Sequence, residues 1–176
     1  PSIMNDAIIS KYELLKALTI GRLNGLEEYK KALNYVLLTY PNSKEGKEAE
    51  RIITKDIPKL QGLSFKRDLS KNIKMVYAMP YPLTEEAAAL KTKLTQYAND
   101  RRHTGINFTA DMYNDTTIFF VLHGVKSGNI AKSAQMYLEL EGTYGIKQTP
   151  VLISTDDFGV VLIKKNWEEY INQAPK

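Results

Sequence analysis

Two histidines, His103 and His123, are the residues in this chain best suited to acid–base or metal chemistry near neutral pH. His103 follows Arg101 and Arg102 in a polar stretch, whereas His123 ends a strongly apolar segment. A metal site or an acid–base pair needs both imidazoles in one place, or each of them beside carboxylates. The sequence indicates neither arrangement, so we expect both histidines to be exposed or internally hydrogen-bonded.

Adjacent carboxylates are the next candidates, and there are three such pairs: Glu85-Glu86, Asp156-Asp157 and Glu168-Glu169. The first and third pairs lie near predicted helix starts, where acidic side chains stabilise the positive end of the helix. The middle pair follows a predicted strand and precedes Gly159, which predicts a turn. A calcium-type site needs six or more oxygen ligands, and this spacing does not supply them.

Other catalytic motifs are missing. Gly142 and Gly145 predict the end of a helix rather than a phosphate-binding loop, and no serine stands in a nucleophile elbow. The chain has no cysteine, which excludes disulfides, thiolate metal sites and cysteine nucleophiles. We therefore expect a protein that is not an enzyme, with no catalytic, cofactor-binding or metal-binding residues and no cofactor.

Charge and aromatic content argue against a nucleic-acid partner. The net charge of +4 comes from 24 basic and 20 acidic residues, with no basic block beyond three pairs that we expect to be solvated: Lys30-Lys31, Arg101-Arg102 and Lys164-Lys165. RNA-binding sheets expose aromatic side chains on their central strands. Phe119 and Phe120 are flanked instead by apolar residues typical of a core.

The first third of the chain predicts helices at residues 3–23, 26–40 and 44–53, which form an antiparallel helical hairpin with a third helix. Residues 56–72 are predicted to form a linker, and the domain boundary is predicted near Leu60. The predicted inner positions of the first two helices are Ile8, Tyr12, Leu15, Leu18, Leu23 and Tyr29, Leu33, Val36, Leu37, Tyr40.

The rest of the chain alternates strands and helices. Strands are predicted at residues 74–79, 107–113, 116–125 and 150–154, helices at 84–99 and 129–141, and a short terminal helix at 166–173 that carries Trp167. This β-α-β-β-α-β order predicts a ferredoxin-like domain with both long helices on one sheet face. We therefore expect an α+β protein with helices at 1–58 and the α/β domain at 59–176.

No apolar run reaches the ~20 residues of a membrane-spanning helix, and no signal peptide opens the chain. The chain begins Pro1-Ser2 without an initiator Met, so we expect a fragment whose targeting signal, if any, lies upstream.

Two regions of the chain resemble a known family. The first comprises residues 11–22, 27–33, 40–43 (Tyr-Pro-Asn-Ser) and 47–50, and the second comprises residues 150–158 and the Trp-Glu-Glu-Tyr segment at 167–170. Together they resemble the C-terminal region of the large tetratricopeptide-repeat proteins of Bacteroidetes, the SprE/PorW type of gliding motility and type IX secretion. The resemblance covers most of the chain, and its most specific part is the combination of both regions.

The resemblance implies a tetratricopeptide-like character for the helices and a non-catalytic scaffold that contacts other components of the secretion machine. It also implies a periplasmic location, associated with the outer membrane through a lipid anchor upstream of this segment. An alternative is a peptidoglycan- or glycan-binding module of the sporulation-related type, which shares the β-α-β-β-α-β order. That alternative requires exposed aromatic residues on the open sheet face, such as Tyr77 or Tyr113.

Overall fold

The computed structural model describes residues 3–173, and side chains from residue 8 onward. The described chain forms α1 (Ile3–Asn24), α2 (Leu26–Thr39), α3 (Lys44–Arg51), a π-helical turn (Ile52–Asp56), α4 (Ile57–Gln61), β1 (Ile73–Pro80), α5 (Glu85–Asp100), a 3-10 turn (Arg102–Thr104), β2 (Asn107–Asn114), β3 (Thr117–Val125), α6 (Gly128–Glu139), β4 (Val151–Ser154), α7 (Thr155–Lys164) and α8 (Trp167–Asn172). The predicted mixture of N-terminal helices and a following α/β region is confirmed at this level.

The chain divides into two compact units that differ from the expected domains. The first contains Pro1–Ser64 and Val160–Trp167, and the second contains Phe65–Gly159 and Glu168–Lys176. The sequence placed a single boundary near Leu60 and did not assign a C-terminal segment to the helical unit.

The core of the first unit includes Ala17 of α1, Leu33 and Val36 of α2, Ala49 of α3, and the isoleucines that begin the π-helical turn and α4. The Ser43 hydroxyl caps α3 by accepting a hydrogen bond from the Gly46 N–H at 2.9 Å. The helical path continues through the π-helical turn to Gln61, so the linker predicted from residue 56 begins later. Pro58 does not end the helical path, and it lies at the start of α4 directly after the π-helical turn.

The inner face predicted for α1 is wrong. Its small residues Ser10 and Ala17 are buried, whereas Ile8, Tyr12 and Leu15 are exposed. The small side chains permit a close approach of neighbouring helices. At Gly21, a Cβ atom would lie 2.7 Å from the Tyr29 ring. The Ser10 hydroxyl also donates to Glu45 Oε2 of α3 at 2.9 Å, which holds the same face inward.

The second unit is a four-stranded sheet with the order β2-β3-β1-β4, and every neighbouring pair is antiparallel. The helices α5 and α6 pack on one face of this sheet, against alternate residues of β1 and β3 that include Met75, Tyr77, Phe120 and Leu122. The predicted start of α5 is confirmed, since the Thr84 hydroxyl accepts from the Ala87 N–H at 3.2 Å.

The opposite sheet face is also buried. Val76, Phe119, Val121 and Ile153 are inaccessible to solvent there. Phe119 stacks on Tyr113 with ring centroids 4.5 Å apart, and Phe158 at the start of α7 lies 6.0 Å from the Phe119 centroid. The apolar segment of β3 is therefore covered on both sides, as its composition predicted.

The start of α7 corrects the turn predicted at Asp156-Asp157. Both residues lie in the first turn of the helix, where the Asp157 N–H donates to Ser154 Oγ at 3.1 Å. The apolar run after Phe158 belongs to this helix. None of the helices described is long and apolar enough to cross a membrane.

Candidate functional site

The outer side of α1 is the most prominent apolar surface of the helical unit. Ile8, Tyr12 and Leu15 are 65%, 63% and 64% exposed, and their spacing places them on one side of the helix. At 100° per residue this side lies opposite the buried Ala17. We call Ile8, Tyr12 and Leu15 the α1 outer stripe. A helix with apolar side chains on two opposite sides is typical of one packed between two partners.

Basic residues flank the α1 outer stripe. Lys11 and Arg22 lie on one side of it, and Lys16 lies on the other, where its amine pairs with Glu13 at 3.4 Å. Glu13 is the single carboxylate among residues 8–24, and its side chain is mostly buried. The surface therefore offers an apolar strip with positive edges.

A second polar arrangement crosses three strands of the sheet at His123. Lys74 Nζ lies 2.7 Å from His123 Nδ1, and Thr109 Oγ1 lies 2.7 Å from His123 Nε2. The Thr109 hydroxyl donates to Asp111 Oδ2 at 2.6 Å. The registers of β1 and β2 against β3 bring these side chains together from residues far apart in the sequence.

The protonation state of this network follows from its donors. An ammonium group only donates, so His123 Nδ1 must accept from Lys74 and the proton of the neutral ring resides on Nε2. That N–H donates to Thr109 Oγ1, whose own proton goes to Asp111. Burial lowers the pKa of His123 from its ordinary value of 6.5, and the Lys74 charge acts in the same direction while Asp111 opposes them. Burial likewise lowers the pKa of Lys74, again against Asp111.

This chain of hydrogen bonds satisfies His123 internally, as expected. Both ring nitrogens of His123 have a partner, and the Lys74 amine also lies 5.6 Å from the Phe158 ring centroid. The arrangement therefore joins β1, β2 and β3 through polar contacts rather than presenting an unpaired nucleophile or base.

Asp157 has a structural role that the sequence did not indicate. Its carboxylate is buried and accepts the backbone N–H groups of Lys66 and Arg67, each at 2.8 Å. The Arg67 guanidinium lies 4.7 Å from the Tyr170 ring centroid and donates to the Tyr170 carbonyl oxygen at 3.1 Å and 3.2 Å. These contacts fix the segment before β1.

The other residues considered from sequence are dispersed. The predicted positions of Glu85-Glu86 and Glu168-Glu169 in first helical turns are confirmed. Lys164 was expected to be solvated but is half-buried, and its amine donates to the Gln61 carbonyl oxygen at 2.7 Å. Phe119 and Phe120 are buried, as expected. Among the described side chains of residues 8–173, no three His, Asp or Glu are grouped to hold a metal ion.

Sequence reasoning missed the α1 outer stripe and the partners of His123 for different reasons. The stripe was recognised as apolar but assigned to the core, although small residues on the other side of α1 were a signal for the opposite choice. Lys74, Thr109 and Asp111 sit at alternate positions of predicted strands. Only the strand register shows that they share a face with His123.

No protein-family model matches the chain, and comparisons with curated proteins and with solved structures return no match either.

Proposed function

We propose that this protein is a non-catalytic protein-interaction scaffold and that the α1 outer stripe is its docking surface. The observation that carries the proposal is the exposure of Ile8, Tyr12 and Leu15 on a helix whose opposite side is already buried. Contiguous exposed apolar side chains mark interaction surfaces, because leaving them in water forgoes the free energy of burial.

The apolar side chains of the α1 outer stripe and the basic residues at its edges indicate the kind of partner that would bind. An amphipathic helix of another protein would lay its apolar side along the stripe, as in helix-in-groove recognition. Lys11, Lys16 and Arg22 at the edges favour acidic residues beside the partner's apolar side. The proposed occupant is therefore an amphipathic helix with acidic flanks.

We propose a finer description of both folds. The antiparallel contact of α1 with α2, followed by α3, supports a tetratricopeptide-like hairpin. In the second unit, the strand order β2-β3-β1-β4 and the two helices on one face support a ferredoxin-like domain.

The biological setting proposed is the periplasmic side of the outer membrane, in type IX secretion or gliding motility, with an upstream lipid anchor. The support for it is the resemblance of residues 11–22, 27–33, 40–43, 47–50, 150–158 and 167–170 to SprE/PorW-type proteins. The peptidoglycan-binding alternative is not carried forward. Tyr77 and Tyr113, whose exposure it required, are only 2% and 6% exposed.

Site-specific photo-crosslinking tests the docking surface in the cells that produce the protein. A benzophenone amino acid at Ile8 should crosslink to one protein, through a peptide that forms an acidic-flanked amphipathic helix. The Leu15→Glu substitution should lower this yield by about tenfold, because it places a charge in an apolar contact. The matched control is Leu38→Glu on α2, where the parent side chain is 79% exposed and lies outside the stripe.

Two results would contradict the proposal. One is crosslinking at Ile8 that survives Leu15→Glu or falls equally with Leu38→Glu. The other is a crosslink only to a second copy of this chain, since the partner would then lack the stated chemistry. Melting curves of both variants establish that the helical unit remains folded.

A further inference from the structure

The second unit contains an open cleft of about 560 Å³ that plays no part in the proposed docking function. It lies between the end of α5, the 3-10 turn that follows, the end of β3 and one side of α6 from Ile130 to Tyr137. Its volume is within the range of pockets that bind small molecules, roughly 300–1,000 Å³.

The interior of the cleft is apolar. The rings of Tyr97 and Tyr137 form one wall with centroids 6.4 Å apart, and Ile106, Val125 and Ile130 contribute aliphatic surface. Tyr97 and Val125 are buried in the sheet–helix core, so the fold fixes this part of the cleft, whereas Tyr137 is 36% exposed. Such a surface binds an aromatic or aliphatic group by removing it from water.

The polar side chains around the cleft include three basic residues, Arg101, His103 and Lys126, and no carboxylate. The Arg101 guanidinium is held 4.9 Å from the centroid of the Tyr137 ring and 6.0 Å from that of Tyr97. Among the described residues, none of the three basic side chains makes a hydrogen bond or ion pair. The donors of Arg101 are therefore free for an anion in a position fixed by the aromatic wall.

The backbone also shapes the cleft at the end of β3. Gly124 has φ of +81°, and a Cβ atom there would lie 2.2 Å from the Gly105 carbonyl oxygen. This close approach of β3 to the segment before β2 brings Lys126 and His103 to the same opening.

We propose that this cleft binds a small amphipathic anion, with its apolar body against Tyr97 and Tyr137 and its carboxylate or phosphate at Arg101. Lys126 and His103 lie at the rim and add positive charge to the head-group position. Arg101 also follows the last turn of α5, where a cation is favoured by the helix dipole alone, so the test must separate ligand binding from this structural role.

Calorimetric titration with decanoate, a carboxylate with an aliphatic body, and with phenyl phosphate, a phosphate with an aromatic body, tests the proposal. Both anions should shift the backbone amide NMR signals of Gly105, Gly124 and Ile130. Arg101→Met should weaken binding by about tenfold, the loss expected for a hydrogen-bonded charge. Arg102→Met is the matched control, because Arg102 is the next residue, exposed and outside the cleft.

A second variant, Ile130→Glu, adds a negative charge at the cleft without removing a cation and should also weaken binding; Ile130 is 47% exposed, so the fold should tolerate it. The proposal is overturned if decan-1-ol binds as tightly as decanoate, or inorganic phosphate as tightly as phenyl phosphate. It is also overturned if Arg102→Met weakens binding as much as Arg101→Met, if Ile130→Glu has no effect, or if the NMR shifts fall outside the cleft.

Discussion

At the scale of single residues, His123 shows how a sheet accommodates a titratable group in a partly buried position. The ring is neutral because Lys74 occupies one nitrogen as a donor, and its other nitrogen donates to Thr109. Protonation of His123 would place an imidazolium beside the Lys74 ammonium, and the two positive charges would repel each other. The lowered pKa of His123 is therefore a property of the folded state, since unfolding removes both the burial of the ring and the proximity of the Lys74 charge.

This shift predicts a loss of stability in acid. The unfolded state takes up a proton at His123 near the ordinary pKa of 6.5, before the folded state does. The contribution of neutral His123 to the free energy of unfolding is therefore complete above that pH and is lost as the pH falls below it. Chemical denaturation between about pH 8 and pH 5, the range in which histidine titrates, should show the free energy of unfolding declining toward acid.

His123→Gln should flatten this decline, whereas His103→Gln should retain it, because His103 is exposed and outside the network. A decline that is equally steep in His123→Gln and in the parent protein would refute the assignment to His123.

At the scale of elements, two helical glycines have opposite surroundings. Gly46 lies in the first turn of α3, where a Cβ atom would be 2.0 Å from the Tyr40 carbonyl oxygen. The obstructing atom belongs to the backbone, so no side-chain rotation can relieve the steric clash. Gly159 lies inside α7, and apart from its chain neighbours and the backbone of its own helix no heavy atom lies within 4 Å of its Cβ position. The first glycine permits the close turn from α2 to α3, and the second only weakens its helix.

Alanine at these two positions should therefore have effects of opposite sign. Gly46→Ala should destabilise the protein by about 3 kcal/mol or more, as overpacking against a fixed neighbour does. Gly159→Ala should stabilise it by about 0.5–1 kcal/mol through helix propensity and a reduced entropy of the unfolded chain. Denaturant midpoints measure both, and a stable Gly46→Ala protein would show that the α2–α3 turn relaxes easily.

At the scale of the whole molecule, the net charge of +4 agrees with the two surfaces proposed to bind partners. The α1 outer stripe has basic edges, and the cleft beside Arg101 has a basic rim. Both surfaces should favour acidic partners, with association that weakens as salt screens exposed charges. The Lys164 amine, by contrast, donates to the backbone carbonyl oxygens of Gln61 and Leu63.

Trp167 tests how the end of the chain contributes to stability. The helix α8 has only six residues, far fewer than the ~12–15 an isolated helix needs, so tertiary contacts must hold it. Trp167 is 5% exposed. Trp167→Ala should cost about 3–5 kcal/mol. For a protein of this size, each kcal/mol of lost stability lowers the melting temperature by roughly 2–4 °C.

The matched control is Glu168→Ala, because Glu168 is the next residue and is exposed, so its loss should change stability by less than about 0.5 kcal/mol. The parent protein should show the blue-shifted fluorescence of a buried indole. Red-shifted emission, or a Trp167→Ala protein that melts with the parent, would contradict this role.

The sequence alone determined most of the elements, because helix caps, turn residues and hydrophobic periodicity act over a few neighbouring positions. Ser43, Thr84 and Ser127 each precede a helix and cap it through the side-chain oxygen. The buried strand β3 was evident from its apolar run. Local patterns were weaker at Asp156-Asp157, where two acids before a glycine are compatible with both a turn and a helix start.

Tertiary structure decided which surfaces these elements present. α1 is apolar on two sides, and only packing through Ser10, Ala17 and Gly21 selected the side that faces the core. The long-range pairing of β1 with β3, which no local turn sets, brought Lys74 to His123, and the register of the β2–β3 hairpin placed Thr109 at the other ring nitrogen. Arg101 reached the cleft in the same way, because its neighbours there come from separate elements whose positions depend on the packing of the whole unit.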